Sequence, residues 1–295
     1  MGDSRCRVRS PPRPGATILA ACLVLLASFG AAAQTDAPPR TAFRVCQDPN
    51  NLPFSNEAGQ GIENKLAELF ARDLGLPVKY YSFPQRMAFI RNTLRYKLPG
   101  EDYRCDIVMG VPAGFDQVSV TQPYYRSTYA MVVPEGRGLD GLARADDLLK
   151  LPRDKLGRLR IGVFDRSPAS QWLAHHDLVE QGVPYQMLSA DPAQYPGEII
   201  ERDLAAGKID VAIVWGPIAG YYAKRVDKPA LRVLTMSSEQ GVKFDYAMAM
   251  GVRYGEPEWK KQIEALIVKH RPAIRGILQD YGVPLLELEA SPPAR

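Results

Sequence analysis

The loop DPNNLPFSN, residues 48–56, is the densest group of side chains in this chain that could do chemistry. Asp48, Asn50, Asn51 and Ser55 can donate or accept hydrogen bonds to a small molecule, and Phe54 can supply an apolar wall. The competing reading is local, because Asp, Asn and Ser also build turns and cap helices without any ligand. Further along, Arg86 opens a segment with few acidic neighbours and could reach an anion. Tyr124 and Tyr125 form an aromatic pair. Trp215 ends an apolar run just before Gly216-Pro217, where a large aromatic could stack on a ligand or anchor a partner. Ser167 and Ser170 stand where a helix begins, a position suited to anions and equally to an ordinary Ser N-cap with Pro behind it. No metal site is expected, since the only histidines are His175, His176 and His270 and no CxxC or HxxxH spacing occurs. No nucleophile motif or converging acid–base pair appears, so an enzyme is not expected.

These residues need a scaffold that gathers them, and the hydrophobic pattern supplies one. AFRVCQ (42–47) reads as a strand running into the polar loop. IENKLAELFARDLG (62–75) is an amphipathic helix with Ile62, Leu66, Leu69, Phe70 and Leu74 on one face and Gly75 as its stop. PVKYYSF (77–83) returns as a strand, RMAFIRNTLRY (86–96) reads as a second helix, and DIVMGV (106–111) as a short buried strand. After the extended STYAMVVPEG (127–136) the alternation restarts. LGRLRIGVF (156–164) is followed by a helix over 167–182, the strand PYQMLSA (184–190), a helix over 196–209 and the strand DVAIVWG (210–216). LRVLTMSS (231–238) and FDYAMAMGVR (244–253) are strands, and 256–282 is a helical pair broken near Pro272. Alternating strands and helices argue for parallel α/β sheet, whose carboxyl edge is where open sheets bind small molecules. Two such units joined by extended crossings near 127–136 and 244–253 suit hinge closure on a cleft.

Residues 1–33 stand apart. Arg5, Arg7, Arg9 and Arg13 precede the apolar stretch 16–33, which ends in Ala31-Ala32-Ala33, the pattern of a cleavable export signal. Residues 34–41 read as a flexible, Pro-rich leader. The whole chain carries 37 basic and 33 acidic residues. Without the first 33, which hold four Arg and one Asp, the balance is close to neutral, so neither nucleic acid nor membrane is an expected partner after cleavage. Cys46 and Cys105 are then the only cysteines. In an oxidising compartment they are expected to form one disulfide. Two parallel strands would put them at opposite ends, so either an irregular approach through KLPGEDYR brings them together or both remain buried thiols.

The order of DPNNLPF, the following helix, DIVMGV, TQPYYRS (121–127) and AMAMGVRYGEPEW (247–259) resembles the family 3 (type II) periplasmic solute-binding proteins. That resemblance implies an α/β, two-lobed type II periplasmic binding protein fold with two crossing hinge strands, in the periplasm. Lobe 1 would comprise 42–130 and 248–288, and lobe 2 would comprise 131–247. Amino-acid-binding members carry a Thr-x-x-Arg segment after the Asp-led strand, whose Arg clamps the ligand carboxylate. Here VPAGFDQVSV (111–120) contains no Arg, and Trp215-Gly216-Pro217 stands where an acid would hold the ligand ammonium.

A narrower resemblance fits those departures. VCQDPNNLPFSNEAGQGIENKLAELFARDLG, FPQRMAFIRNTL, RCDIVMGVP and VAIVWGPIAGYYA are similar to the quinoprotein-dehydrogenase-associated, J-type branch of that family. This implies an accessory role with a periplasmic PQQ-dependent methanol dehydrogenase as partner, and no cofactor of the chain's own. The alternative is a transporter-linked binding protein for a small solute other than an amino acid.

Overall fold

In the computed structural model, residues 40–85, 88–187, 191 and 193–288 are described. The expected export signal, the expected leader as far as residue 39, and Arg86 lie outside them. The leader's end is anchored: Arg40 pairs with Glu256 at 2.6 Å and its guanidinium sits 4.0 Å from the centre of the Trp259 ring.

Strand β1 (Phe43–Gln47) alternates faces, and both faces are covered. Phe43 and Val45 enter one apolar core, while Cys46 enters another on the opposite side. Helix α1 (Ile62–Leu74) closes the first core with Ile62, Leu66 and Phe70, each almost fully buried, while Leu69 and Leu74 pack at its margin. Burying each such side chain contributes roughly 1.5–3 kcal/mol. Strand β2 (Val78–Ser82) and β3 (Ile107–Pro112) flank β1 in parallel. Between β2 and β3 the expected long helix is reduced, among the described residues, to a four-residue turn, Phe89–Asn92. Ala88 before it is left-handed, and Thr93 after it bonds back to the Phe89 carbonyl at 2.7 Å and leaves helical geometry.

The chain then bends at Asp106 on entering β3, which folds Cys105 back over the face of Cys46. The two form a disulfide, with Cα atoms 5.3 Å apart, inside the bridging range. Asp106 itself is buried between guanidinium groups: Arg44 Nε at 2.7 Å and Arg253 Nη2 at 2.6 Å. This pairing satisfies an acid that would otherwise be costly in the interior.

Strand β4 (Tyr125–Pro134) joins the two halves. The second half contains β5 (Ile161–Phe164), α2 (Pro168–His175), β6 (Gly182–Tyr185), a π-helical segment (Ile199–Leu204), β7 (Val211–Trp215), α3 (Gly216–Ala223) and β8 (Leu231–Thr235). Strand β9 (Asp245–Val252), α4 (Pro257–Lys269) and α5 (Arg271–Asp280) then complete the first half. The sheet order is β2-β1-β3-β9-β4-β7-β5-β6. Residues 125–128 of β4 pair with β9, whereas residues 129–132 pair with β7 and residues 130–134 with β8. One strand thus crosses from half to half, and the return passes through residues 236–245, where Phe244 still packs in the second core. Helix α2 stops at His175, half the expected length, because His176 and Asp177 leave helical geometry. Among the described helices, none is long and apolar enough to cross a membrane.

Candidate functional site

The loop after β1 is shaped from within. Ser55 Oγ donates to the Asp48 carbonyl at 2.9 Å and accepts from the Asp48 N–H at 3.2 Å. One carboxylate oxygen of Asp48 accepts from the Asn50 N–H at 2.8 Å, and the other accepts from the Gln85 N–H. Asn51 donates to the Gln85 side chain at 2.7 Å. Beneath it, buried Asn64 accepts from the Gly61 N–H at 3.0 Å and donates to Gln47 at 2.8 Å. A polar ring of this kind holds the loop at the carboxyl edge of the sheet with its donors already paired.

The loop also reaches the other half of the molecule. Leu52 and Phe54 pack against the second-half core around Ile200 and Tyr222, and the Tyr222 hydroxyl donates to the Leu52 carbonyl at 2.9 Å. Helix α3 presses on the end of the first half so closely that a Cβ on Gly220 would lie 1.8 Å from the Gly282 carbonyl oxygen. Tyr221 stacks on Tyr281 at 5.6 Å. These contacts bridge the two halves.

Between the halves lies a cavity of about 690 Å³. Its apolar lining comes from Phe54, Tyr129, Phe164, Tyr185, Met187, Tyr195, Trp215, Ile218, Tyr246 and Met248. Trp215 meets Tyr129 and Tyr246 edge-on at 5.5 and 5.9 Å, so three rings from β4, β7 and β9 form one aromatic wall. Such edge-to-face pairs contribute beyond the area they bury. Glu63, in the first turn of α1, lies on the lining beside Gly110. A Cβ on Gly110 would come within 2.6 Å of the Glu63 Oε1, and the backbone there has φ +66°, so only glycine leaves room for this carboxyl. Desolvation, with help from the Asp48 charge, pushes the Glu63 carboxyl up to about 8. The basic residue among the described lining is Arg202, and its guanidinium is committed to Asp203 at 3.0 Å and Glu198 at 2.7 Å. The hydrogen bonds that Asp203 accepts, from Arg202 first and then from Tyr185 and Lys208, hold its carboxyl well below the usual range.

The structure therefore brings Asp48, Asn50, Asn51, Phe54 and Trp215 to one cavity. Ser55 is buried as the loop's internal brace. Tyr124 and Tyr125 are in the first core, not on the cavity surface; burial, above all, raises both hydroxyls, and the nearby Glu63 adds to it. Ser167 donates to the Phe164 carbonyl at 2.6 Å and accepts from the Ser170 N–H at 3.3 Å, which is an N-cap. Ser170 turns its hydroxyl to the Ser167 carbonyl at 2.7 Å, and neither serine lines the cavity. Sequence reasoning missed Glu63, Tyr129 and Tyr246. Glu63 looks like any acidic residue in a first helical turn, and its one distinguishing signal is its place just after a loop at the sheet's carboxyl edge.

The mixed sheet, the two halves and the cleft between them define the class of type II periplasmic binding proteins. No protein-family model matches the chain. The periplasmic binding protein XoxJ from Methylobacterium extorquens AM1 is 35% identical, with a TM-score of 0.66 over 84% of this chain and 100% of that one. MxaJ from Methlophaga aminisulfidivorans MPT gives 26% identity and a TM-score of 0.67 over 83% of this chain and all of its own. Protein MoxJ of Paracoccus denitrificans is 29% identical over 275 residues, 87% of this chain and 95% of its own length. The chain belongs to the MoxJ/MxaJ/XoxJ branch of the periplasmic binding proteins.

Proposed function

We propose that this protein acts in the periplasm as a non-enzymatic accessory of a PQQ-dependent methanol dehydrogenase, and that the aromatic cleft receives part of that partner. The observation that carries the reading is the cleft lining. Its described basic residue is already paired within the protein, so it offers a ligand carboxylate no ready counter-charge. Desolvating a zwitterion there would leave a charge uncompensated. A wall of Tyr129, Trp215 and Tyr246 instead suits the aromatic and aliphatic anchors that carry protein–protein affinity. The J-type resemblance supports a methanol dehydrogenase as that partner, and the export pattern of residues 1–33 supports the compartment.

Gel filtration of the purified mature chain with a purified PQQ-dependent methanol dehydrogenase tests the reading. Co-elution supports it, and separate elution with unchanged dehydrogenase activity contradicts it. One observation favours a second reading, a small-solute binder: no described residue donates a hydrogen bond to the Glu63 carboxyl on the cavity lining. A thermal-shift screen of small amines and alcohols separates the two, since a solute well above its dissociation constant would raise the melting temperature on its own.

A further inference from the structure

We propose that His175, His176 and Glu239, on the second half away from the cleft, form a binding site for one divalent transition-metal cation of the zinc type. Neighbouring residues on a regular helix do not face a common point. Here α2 ends at His175, while His176 has φ −107° and ψ 17° and Asp177 is left-handed. The break swings the second imidazole to within 5.1 Å of the first, and packing of His176 on buried Trp172 at 4.9 Å fixes it there. Glu239 arrives from the turn between β8 and β9, a turn held by reciprocal backbone bonds with Val242 at 3.0 and 3.1 Å.

The three side chains converge on one point. His175 Nδ1 and His176 Nε2 each lie 2.9 Å from the same carboxylate oxygen, Glu239 Oε1. All three ligand atoms fall within 4.8 Å of one another. A zinc ion takes His nitrogen and Glu oxygen at about 2.0–2.2 Å, so tetrahedral ligand atoms stand roughly 3.3–3.5 Å apart. The nitrogen–oxygen pairs need open only by about half an ångström to admit it. Partial exposure of all three residues leaves a fourth position for water. Two nitrogens and one oxygen favour borderline cations such as Zn²⁺, Cu²⁺ or Ni²⁺ over Ca²⁺ or Mg²⁺, which prefer oxygen alone.

The molecule's third histidine shows what an ordinary pair looks like. His270 meets Asp73, and Lys269 contacts the same carboxylate, so the acid's charge is balanced by a lysine. Among the described residues no Lys or Arg pairs with Glu239, and its ion-pair contacts are the two imidazoles. To bind the cation each ring presents a bare nitrogen, its proton residing on the far nitrogen or released to solvent. A bound ion would tie the end of α2 to the segment that leads into β9.

Calorimetric titration of the tag-free mature chain with Zn²⁺, backed by Co²⁺ absorption, tests the site. The expected result is one saturable ion per chain, a tetrahedral Co²⁺ spectrum, and no comparable binding of Ca²⁺. Glu239→Gln keeps a hydrogen-bond acceptor for the rings but removes the anionic ligand, and it should weaken Zn²⁺ at least about tenfold. His176→Ala should do the same, while Asp73→Asn at the ordinary pair should change nothing. No saturable uptake by the wild-type chain would overturn the assignment. So would uptake that survives both Glu239→Gln and His176→Ala in folded protein.

Discussion

Replacing Glu63 by Gln should make the protein more stable at alkaline pH and leave it little changed at acidic pH. The carboxyl beside Gly110 is desolvated and faces the Asp48 charge, which lifts it from 4.5 to about 8. Between those values the folded protein keeps a proton that the unfolded chain has released. Wild-type stability from this group is therefore full below about pH 4.5 and is lost as the pH rises towards 8. At about 1.4 kcal/mol per pH unit, the ceiling is about 5 kcal/mol. Glu63 lines the cavity and is only partly buried, so screening by solvent reduces this, and roughly 2–3 kcal/mol is expected at pH 8. Asp203 and Asp245, whose carboxyls are held low by their partners, make both proteins gain stability with pH and cancel in the difference. Urea unfolding of both proteins at pH 5, 6, 7 and 8 reads this difference directly. Stability curves that run parallel over that range would refute the account of Glu63.

Two further outcomes follow from the scaffold. Converting Cys46 and Cys105 together to Ala should cost roughly 2–4 kcal/mol in urea unfolding, since the bridge spans 59 positions of chain; no loss would show that it is dispensable. Gly220→Ala should lower the melting temperature although Ala favours helix by about 1 kcal/mol, because its Cβ would meet the Gly282 carbonyl at 1.8 Å. An unchanged or raised melting temperature would mean that α3 can move away from the first half.

Part of this fold was legible because its signals are local. The 3.6-residue repeat of Ile62, Leu66 and Phe70 and the strand patterns on either side need no distant contact to be read. Other parts were hidden for identifiable reasons. Helix α3, GPIAGYYA, is apolar on all sides because it is buried between the halves, so no amphipathic period marks it. The segment 86–96 has a helical pattern, but among its described residues Thr93 bonds to the Phe89 carbonyl and Arg253 captures the Leu94 carbonyl at 3.1 Å. In the cleft, Asp48, Asn50, Asn51, Phe54 and Trp215 could be found from one loop and one strand end. Tyr124, Tyr125, Ser167 and Ser170 carry the same chemistry in sequence, yet packing and capping absorb them. Glu239 could not be linked to His175 and His176 at all, because they meet across 64 and 63 positions of chain, respectively.

The most direct test of the account measures the affinity of the mature chain for a PQQ-dependent methanol dehydrogenase, with and without Trp215→Ala. Trp215 stands at the centre of the aromatic wall, and truncating a central anchor of this kind costs about 2 kcal/mol or more, roughly thirtyfold in affinity. A measurable complex that weakens by that order in folded Trp215→Ala protein is the predicted result. Affinity unchanged by the substitution, or no complex with the wild-type chain, would contradict a partner-receiving cleft.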